Sequence, residues 1–316
     1  MSSNSADPRP FRIQRSVLAV PGTSEDLFSK AARLSSDAVF LDLEDTVTLD
    51  QKHDARKKVI AALNDIDWGM RTMAVRINPV STEWAHREII ELVTECPRLD
   101  ILMLPNVDEP FQVRFVDSLI TGLERECRRY KRIGIEAIIE TARGLADVES
   151  IAACSERLEG ICFGAGDYSV AMHTYDTISA PSPEDGDSRS SGRSDPWHYA
   201  RARIANACHA FGLRPIDGPF TNYRDADGLR HAATGAAALG FEGKWVIHPS
   251  QVSICNSVFM PTDTQVKWAE QILESMRHAS ASGQGVIGLN DGVVDQVHEK
   301  LARLILRRNS AVANAH

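Results

Sequence analysis

Carboxylates are concentrated where one short apolar segment ends. The segment AVFLDLEDTV (38–47) is apolar for four positions and then carries Asp42, Glu44 and Asp45. Acidic residues in this position often cap the helix that follows a strand, so a purely local role is one interpretation. The alternative is that they orient a group that does chemistry, and that depends on what the rest of the chain brings near them.

Two further acids follow apolar runs and are candidate metal ligands. Glu140 comes after IEAII, and Asp167 comes after CFGAG. Glu140 has no advantage as a helix cap and would be costly to bury without a partner. Two carboxylates from neighbouring strand ends suit Mg²⁺, which fills its other positions with water and substrate. A pair of acids sharing one proton is the alternative, and the lack of a histidine or cysteine cluster argues against zinc.

A cation stands out in the otherwise apolar segment TMAVRIN (72–78), which carries Arg76. Its guanidinium suits a substrate carboxylate or a developing enolate oxygen. An ion pair with Glu44 or Asp45 is the other interpretation, and both can hold because a fixed guanidinium is the better electrostatic catalyst. We therefore interpret Glu44 and Asp45 as groups that orient Arg76 or metal-bound water. His248 is either a general base or a residue that positions the backbone.

These side chains must be positioned by strands that alternate with helices. Eight short strand-like segments separated by segments of helical period predict a parallel sheet covered by helices and closed into a (β/α)8 barrel. An open doubly wound sheet is the runner-up, but AVPGTSED after the first segment has one glycine where such sheets have a glycine-rich loop. The predicted strands are residues 16–22, 38–45, 72–78, 101–106, 134–142, 160–167, 214–218 and 243–249.

The carboxyl ends of barrel strands meet at one rim, so residues there are close in space although they are distant in sequence. We expect Glu44, Arg76, Glu140 and Asp167 to converge at that rim. A metal and an arginine, with no Schiff-base lysine at a strand end, favour enolate chemistry such as metal-dependent aldol cleavage.

The domain prediction is a barrel over residues 1–260 and a C-terminal helical appendage over 261–316. Residues 173–198 are rich in Ser, Asp, Gly and Pro, which is typical of a long mobile insertion. The appendage contains a helical segment, a glycine-containing hairpin-like segment and a last helical segment.

Composition excludes several classes of protein. The net charge is −8 and no basic patch is present, so a nucleic-acid partner is not expected. No segment approaches the roughly 18 apolar residues of a membrane span, and the first dozen residues lack an apolar stretch. The six cysteines form no CxxC pair, and we expect a cytoplasmic protein in a reducing compartment.

Many motifs occur together in an order that resembles a known superfamily. The chain is similar to the citrate lyase β-subunit-like (CitE, HpcH/HpaI aldolase) superfamily of CoA-ester lyases, over residues 12 to about 308. Within it, DWG, SDPWHYA and LRPIDGPF resemble the malyl-CoA/β-methylmalyl-CoA lyases most. The motifs shared with the superfamily are SVLAVPG, VFLDLEDTV, VRIN, IIETARG, FGAGDY, IDGPF, LGFEGKWVIHPSQ and GVVD.

The resemblance implies a Mg²⁺-dependent retro-aldol cleavage of a 3-hydroxyacyl-CoA, with Mn²⁺ as a substitute metal. The products would be acetyl-CoA or propionyl-CoA and the 2-oxo acid glyoxylate. It implies that Glu140 and Asp167 hold the metal, that Arg76 stabilises the thioester enolate, and that the amides of Gly166 and Asp167 receive the 2-oxo acid. The positions implied to contact the CoA-bearing substrate are Ala19, Val20, Lys30, Ile247 and His248.

The resemblance also implies an assembly. Asp295, in GVVD, would complete a neighbouring subunit's site as acid/base in a homotrimer or homohexamer, although by its position it would otherwise be interpreted as a helix N-cap. The alternatives are a citramalyl-CoA lyase, a malyl-CoA thioesterase, and a citrate lyase β-subunit-like protein acting on a carrier-bound acyl group. The chain departs from its relatives in lacking an arginine near Ser24 and Asp26 and in having Asn106 where many have lysine.

Overall fold

A computed structural model describes most of the chain, in four ranges. The described residues are 9–174, 195–281, 287–289 and 292–315. The chain divides into two compact units, Met1–Asn256 and Ser257–His316. The predicted insertion at 173–198 falls mainly on residues 175–194, which lie outside the described residues.

In the described part of the first unit, eight parallel strands close into a barrel. Each strand pairs with the next along the chain, and β1 pairs with β8. The predicted (β/α)8 fold is confirmed, with each strand shorter than its predicted segment. The strands are β1 Ser16–Pro21, β2 Ala38–Asp42, β3 Thr72–Arg76, β4 Ile101–Leu104, β5 Gly134–Ile139, β6 Leu158–Phe163, β7 Arg214–Asp217 and β8 Gly243–Val246.

The helices of this unit follow the strands as expected for parallel crossovers. They are α1 Glu25–Ala31, α2 Lys52–Asp65, α3 Ala85–Glu95, α4 Pro110–Glu126, α5 Ala142–Ala146, α6 Val148–Ala152, α7 Ala165–Ala171, α8 His198–Ala210, α9 Ala226–Ala238 and α10 Pro249–Val258. Two of them, α7 and α10, begin inside segments predicted as strands, since residues 160–167 and 243–249 were expected to be extended and α7 starts at Ala165 and α10 at Pro249.

The side-chain period of two determines which residues face the barrel interior. The interior cluster consists of Val17, Ala38, Phe40, Ala74, Ile101, Met103, Ile138, Cys162, Ile216 and Trp245. The intervening residues face the helices and are also buried, which explains the nearly continuous apolar character of the strands. Moving two positions on from Phe40, Ala74 and Ile138 places Asp42, Arg76 and Glu140 on the inward side at the carboxyl rim.

The second unit contains two helices and a small antiparallel sheet among its described residues. α11 spans Asp263–Ala281 and α12 spans Gln296–Ala315, while β9 (Ile287–Leu289) pairs with β10 (Gly292–Val294). Its core is formed by Ala269, Ile272, Met276, Val294 and Ala302. Across both units, none of the described helices has the length and apolar character needed to cross a membrane.

Candidate active site

A cavity of about 280 Å³ opens at the carboxyl rim of the barrel. It collects side chains that the sequence separates by more than two hundred positions. Its lining residues are Ala19, Val20, Pro21, Phe40, Asp42, Asp45, Thr46, Arg76, Glu140, Gly164, Ala165, Gly166, Asp167, Pro219, Trp245 and Ile247. The predicted convergence at this rim is therefore seen for Arg76, Glu140 and Asp167.

Arg76 is held by a two-pronged ion pair with Asp42. Its Nε donates to Asp42 Oδ1 at 2.7 Å and its Nη2 donates to Oδ2 at 2.8 Å. The two residues are register partners on adjacent strands, so the pair follows directly from strand pairing. Burial opposes the charge on Arg76, but the hydrogen bonds and charge of Asp42 raise the pKa of Arg76 above its usual value. The guanidinium is thus permanently charged and fixed.

The other two acids of the opening segment lie against the remaining nitrogen of Arg76. Nη1 donates to Asp45 Oδ2 at 3.0 Å and lies 2.8 Å from Glu44 Oε2. The Asp45 side chain is 60% exposed, whereas Glu44 is buried. Oε2 of Glu44 is close enough for an ion pair but lacks hydrogen-bond geometry to any partner in the described chain. Glu44 and Asp45 therefore surround Arg76, while Asp42 orients it.

The loop that carries these acids is locked by donors from outside it. Lys52 is buried, and its Nζ donates to the carbonyls of Leu43 and Glu44, both at 2.8 Å. Asn78 Nδ2 donates to the same Leu43 carbonyl at 3.0 Å and is itself held by Glu88 at 2.6 Å. These contacts satisfy the carbonyls of a tight turn, which would otherwise be costly to bury.

Glu140 lies at the end of β5 and is almost completely buried. Its Oε1 accepts the backbone N–H of Asn106 at 2.7 Å. The residue beside it, directly after the end of β6, is Gly164, where an added Cβ would lie 2.4 Å from Glu140 Oε2, so glycine is needed for the close approach. Burial, followed by the charges of Glu44 and Asp167, raises the pKa of Glu140 to about 8, against the opposing effects of Asn106 and Arg76.

Asp167 lies in the first turn of α7 rather than at the end of a strand, because β6 ends at Phe163. Both Asp167 and Gly166 are exposed to the cavity. Tyr168 anchors the helix, because its ring packs edge-on against the rings of Phe163 and Trp197, with centroid distances of 5.4 and 5.2 Å. This packing fixes the first turn of α7, which carries Asp167.

The donor set fits Mg²⁺. Glu140 and Asp167 would offer two carboxylates on one cavity, and within the described residues no group of three or more His, Cys, Asp or Glu is arranged to hold a metal. Two carboxylates leave positions for water and substrate, which Mg²⁺ usually retains. Burial raises the pKa of Glu44 to about 7, with Asp45 and Asp42 adding to the shift and Arg76 opposing it. This surplus of buried carboxylate charge is what a bound divalent cation would balance.

One wall of the cavity is apolar. Phe40 and Trp245 pack with their ring centroids 4.8 Å apart, and the Arg76 guanidinium carbon lies 5.8 Å from each ring centroid. Ala19 and Ile247 extend this wall. A small carbon chain next to a charged arginine could be accommodated here, and the rings exclude water from one side of the guanidinium.

The part of the chain that forms the barrel matches a known family. The model of the HpcH/HpaI aldolase/citrate lyase family matches residues 15–249, a range that contains all eight strands of the barrel. The chain belongs to this family. The predicted family, fold and class of carbon–carbon lyase are confirmed.

Two curated members of the HpcH/HpaI family match almost the whole chain. The L-malyl-CoA/β-methylmalyl-CoA lyase of Rhodobacter capsulatus is 40% identical over 312 residues, covering 98% of each chain. The malyl-CoA/β-methylmalyl-CoA/citramalyl-CoA lyase of Chloroflexus aurantiacus is 30% identical over 327 residues, covering 97% of this chain and 93% of the relative. Both matches extend through the second unit.

A solved structure supports a divalent metal in this HpcH/HpaI fold. The CitE protein of Mycobacterium tuberculosis was crystallised with magnesium, acetoacetate and coenzyme A. It is 28% identical, superposes with a TM-score of 0.72, and the match covers 93% of this chain and 97% of that one.

Some predicted residues of this HpcH/HpaI member lie away from the cavity. As far as the structure describes the chain, neither Lys30 nor His248 lines it; Lys30 is exposed on α1. The His248 ring stacks on Tyr223 at 4.5 Å, and its Nδ1 lies 2.8 Å from Ser250 Oγ. The contacts of His248 within this chain are therefore local ones, with Tyr223 and Ser250.

Asp295 lies in the second unit and caps α12. Its Oδ1 accepts the backbone N–H of Val297 at 2.9 Å and lies 2.8 Å from His298 Nδ1. These hydrogen bonds hold the pKa of Asp295 below its usual range. The N-cap interpretation is therefore correct at the level of local contacts, and a role in another subunit stays a prediction.

Sequence reasoning missed Asp42 as the main partner of Arg76. A signal was available, because Asp42 falls two positions after Phe40 and so has the inward parity of the strand. Its oxygens also accept from the Glu44 amide at 3.0 Å and from Thr46 Oγ1 at 2.7 Å, which folds the acidic loop around it. The aromatic wall was missed because nothing in a single strand indicates that Phe40 and Trp245 meet.

Proposed function

We propose that this chain is a Mg²⁺-dependent lyase that cleaves a 3-hydroxyacyl-CoA, malyl-CoA or β-methylmalyl-CoA, into an acyl-CoA and glyoxylate. The observation that carries the proposal is the convergence of Glu140, Asp167 and the fixed Arg76 on one cavity. The identity to the Rhodobacter capsulatus lyase supports the choice of substrates.

Glu140 and Asp167 are the proposed metal ligands, with Mn²⁺ as an alternative ion. When bound, the metal would supply a Lewis acid that polarises the oxygens of the substrate's 2-oxo acid portion. Glu44 would then contribute its buried oxygen to ordering solvent near the ion. Glu140 is held by the Asn106 amide and Asp167 by the packed start of α7, so both oxygens are preorganised.

Arg76 is the proposed stabiliser of the thioester enolate. In the cleavage direction the C2–C3 bond breaks, and its electron pair is left on C2 and the thioester oxygen. A fixed, buried guanidinium beside an apolar wall stabilises this charge more than water does, by a factor of about 10² to 10³ for one such donor. Asp42 acts by holding Arg76 in place.

The remaining substrate contacts follow the cavity and the family resemblance. We propose that the backbone amides of Gly166 and Asp167 receive the carboxylate of the 2-oxo acid. Ala19, Val20 and Ile247 line the apolar side, where the acyl group would lie. We propose Lys30 and His248, which lie outside the cavity, for the more distant CoA portion of the substrate.

Asp295 is the proposed acid/base, contributed by a neighbouring copy in a homotrimer or homohexamer. The reaction releases no net proton, since one leaves the 3-hydroxyl and one arrives at C2. Asp295 would carry out this exchange. The six cysteines, all within the described residues, are free, which supports a cytoplasmic location.

The proposal is tested with a panel of 3-hydroxyacyl-CoA esters, with and without Mg²⁺. We expect release of glyoxylate and acyl-CoA in equal amounts from malyl-CoA, only when a divalent ion is present. Free CoA thiol without glyoxylate would identify a thioesterase instead, and pyruvate from citramalyl-CoA would identify a citramalyl-CoA lyase. Activity confined to an acyl group on a carrier protein would favour a citrate lyase β-subunit-like role.

The metal assignment is tested with Glu140→Gln, which removes one charge and keeps the shape. We expect loss of Mg²⁺ binding and of turnover, with an unchanged circular dichroism spectrum. Glu95→Gln, on the exposed face of α3, removes the same charge elsewhere and serves as the matched control. Wild-type turnover in Glu140→Gln would remove the metal centre from this position.

A further inference from the structure

We propose that Gln112, on the first turn of α4, is a positioning residue for the metal ligand Glu140. It acts through the backbone of Asn106 and touches neither the cavity nor the substrate. The proposal rests on the proposed function, because it assumes that Glu140 binds Mg²⁺.

Gln112 uses both ends of its amide on the loop between β4 and α4. Its Oε1 accepts the backbone N–H groups of Asp108 at 2.7 Å and Glu109 at 3.1 Å. Its Nε2 donates in the other direction, to the backbone carbonyl of Asn106 at 2.9 Å. One side chain therefore connects Asn106, near the start of the loop, to the residues that begin the helix.

Asn106, the residue whose carbonyl Gln112 holds, has an unusual backbone conformation. Asn106 has a φ of +51°, in the left-handed region, which asparagine tolerates better than most residues. This conformation directs its N–H to Glu140 Oε1 at 2.7 Å while its carbonyl is directed to Gln112. The same peptide segment thus connects the helix cap to the metal ligand.

The loop also contacts the end of β5, directly before Glu140. The Val107 N–H donates to the Ile138 carbonyl at 3.2 Å. The Val107 carbonyl packs so closely against Gly144 that a Cβ at that position would lie only 2.3 Å from its oxygen. The Thr141 hydroxyl also donates a hydrogen bond to the Asp108 side chain. A shift of the loop would therefore move the donor that orients the Glu140 carboxylate.

A simpler role for Gln112 is to cap α4 and nothing more. Glu109 and Gln112 form a reciprocal capping box, with Pro110 in the first turn. A residue that only caps the helix needs only the acceptor Oε1, because Oε1 alone satisfies the Asp108 and Glu109 N–H groups. The donor Nε2, aimed at Asn106, is not needed for capping, and it is the atom that separates the two roles.

The Gln112→Glu substitution makes this separation experimentally. Glutamate is an equally good capping-box acceptor for the Asp108 and Glu109 amides, but it cannot donate to the Asn106 carbonyl and repels it. Its added negative charge would by itself favour Mg²⁺ binding. We expect about tenfold weaker Mg²⁺ binding by titration calorimetry, as for other groups that orient a metal ligand, with a melting temperature without metal that stays above that of Gln112→Met, because the capping acceptor is kept.

A matched control lies at another helix cap. Gln265 Oε1 accepts from the backbone N–H of Thr262 at 2.8 Å, and the backbone N–H of Gln265 donates to Thr262 Oγ1 at 3.2 Å. Gln265→Glu therefore makes the same substitution in a capping box of the second unit. We expect it to leave Mg²⁺ binding unchanged. Gln112→Met, which keeps the length and loses both donor and acceptor, should lower both the melting temperature and the Mg²⁺ affinity, and it replaces Gln112→Glu if that variant does not fold.

The outcomes distinguish a failure of the role proposed for Gln112 from a failure of the metal assignment of Glu140. If wild type binds Mg²⁺, Glu140→Gln does not, and Gln112→Glu binds as wild type does, then Gln112 is only a cap and the inference is wrong. If wild type and Glu140→Gln bind Mg²⁺ equally, the metal centre is wrong and the inference falls with it. Weaker binding in Gln112→Glu, with a melting temperature above that of Gln112→Met, supports the inference.

Discussion

Asp42 and Arg76 are partners in the strand register at the carboxyl rim, and both oxygens of Asp42 accept from the guanidinium, at 2.7 and 2.8 Å. The pair exists because β2 and β3 end at the same level with inward parity. It fixes a permanently charged arginine at the cavity that Glu140 and Asp167 also line.

Replacing Asp42 by asparagine should destabilise the protein and reduce turnover together. The substitution leaves a buried guanidinium without its main counter-charge, a loss of about 3–5 kcal/mol in the free energy of unfolding. Urea unfolding and steady-state kinetics measure the two effects. Asp45→Asn is the matched control, because Asp45 contacts the same guanidinium but is 60% exposed, so its cost should stay below about 1 kcal/mol. Equal costs for the two variants would contradict the assigned difference in roles.

Replacing Lys52 by methionine should loosen the acidic loop. The Leu43 and Glu44 carbonyls lose a charged donor in a buried turn, which costs about 1–3 kcal/mol, and we expect turnover to fall by about tenfold because Glu44 and Asp45 lose their fixed positions. Lys57→Met, on the exposed side of α2, makes the same substitution without touching the loop. Unchanged kinetics in Lys52→Met would show that the loop does not need Lys52 to keep its position.

Acid should destabilise the protein through Asp100, which lies far from the cavity. Burial would raise the pKa of Asp100, but hydrogen bonds from Lys131 and the Met73 amide, with the charges of Arg12 and Arg98, hold it below its usual value of 3.8. The unfolded chain therefore takes up the proton at a higher pH than the folded chain. The stability from this group is complete above about pH 4 and is lost as the pH falls through the depressed folded value.

Urea unfolding of wild type and Asp100→Asn between pH 3 and 7 measures this contribution. We expect a large difference in the free energy of unfolding at neutral pH that narrows on the acid side. The exposed Asp50→Asn variant should show a small difference at every pH. A gap between wild type and Asp100→Asn that stays constant down to pH 3 would refute the assignment.

Asp295→Ala should cost catalysis more than substrate binding if Asp295 is an acid/base for a neighbouring site. Mixing this variant with Glu140→Gln after subunit exchange tests whether the site is shared. Each variant alone should be inactive, but roughly a quarter of the sites in a random symmetric assembly would combine an intact Glu140 with a neighbour's intact Asp295. No recovery of turnover in the mixture, with exchange verified by mass spectrometry, would place both residues in one chain or remove Asp295 from the site.

Much of the barrel could be predicted because its signals are local. Each strand is a short apolar run followed by a polar residue, and each long helix has its own apolar period. The boundaries were overestimated at the strand ends, where GICFGAGD reads as one extended segment. The strand ends before Gly164, which packs against Glu140 of another segment. The two residues are too far apart in sequence for a local pattern to show this contact.

The choice of Glu140, Asp167 and Arg76 came from residue type and strand order alone, since acids and an arginine at the end of apolar runs are costly unless they have partners. Which acid holds the arginine, how Asn106 meets Glu140, and which aromatic rings wall the cavity were decided by register and packing. These contacts join residues 34 or more positions apart, and such distances are closed only when the eight strands close their ring.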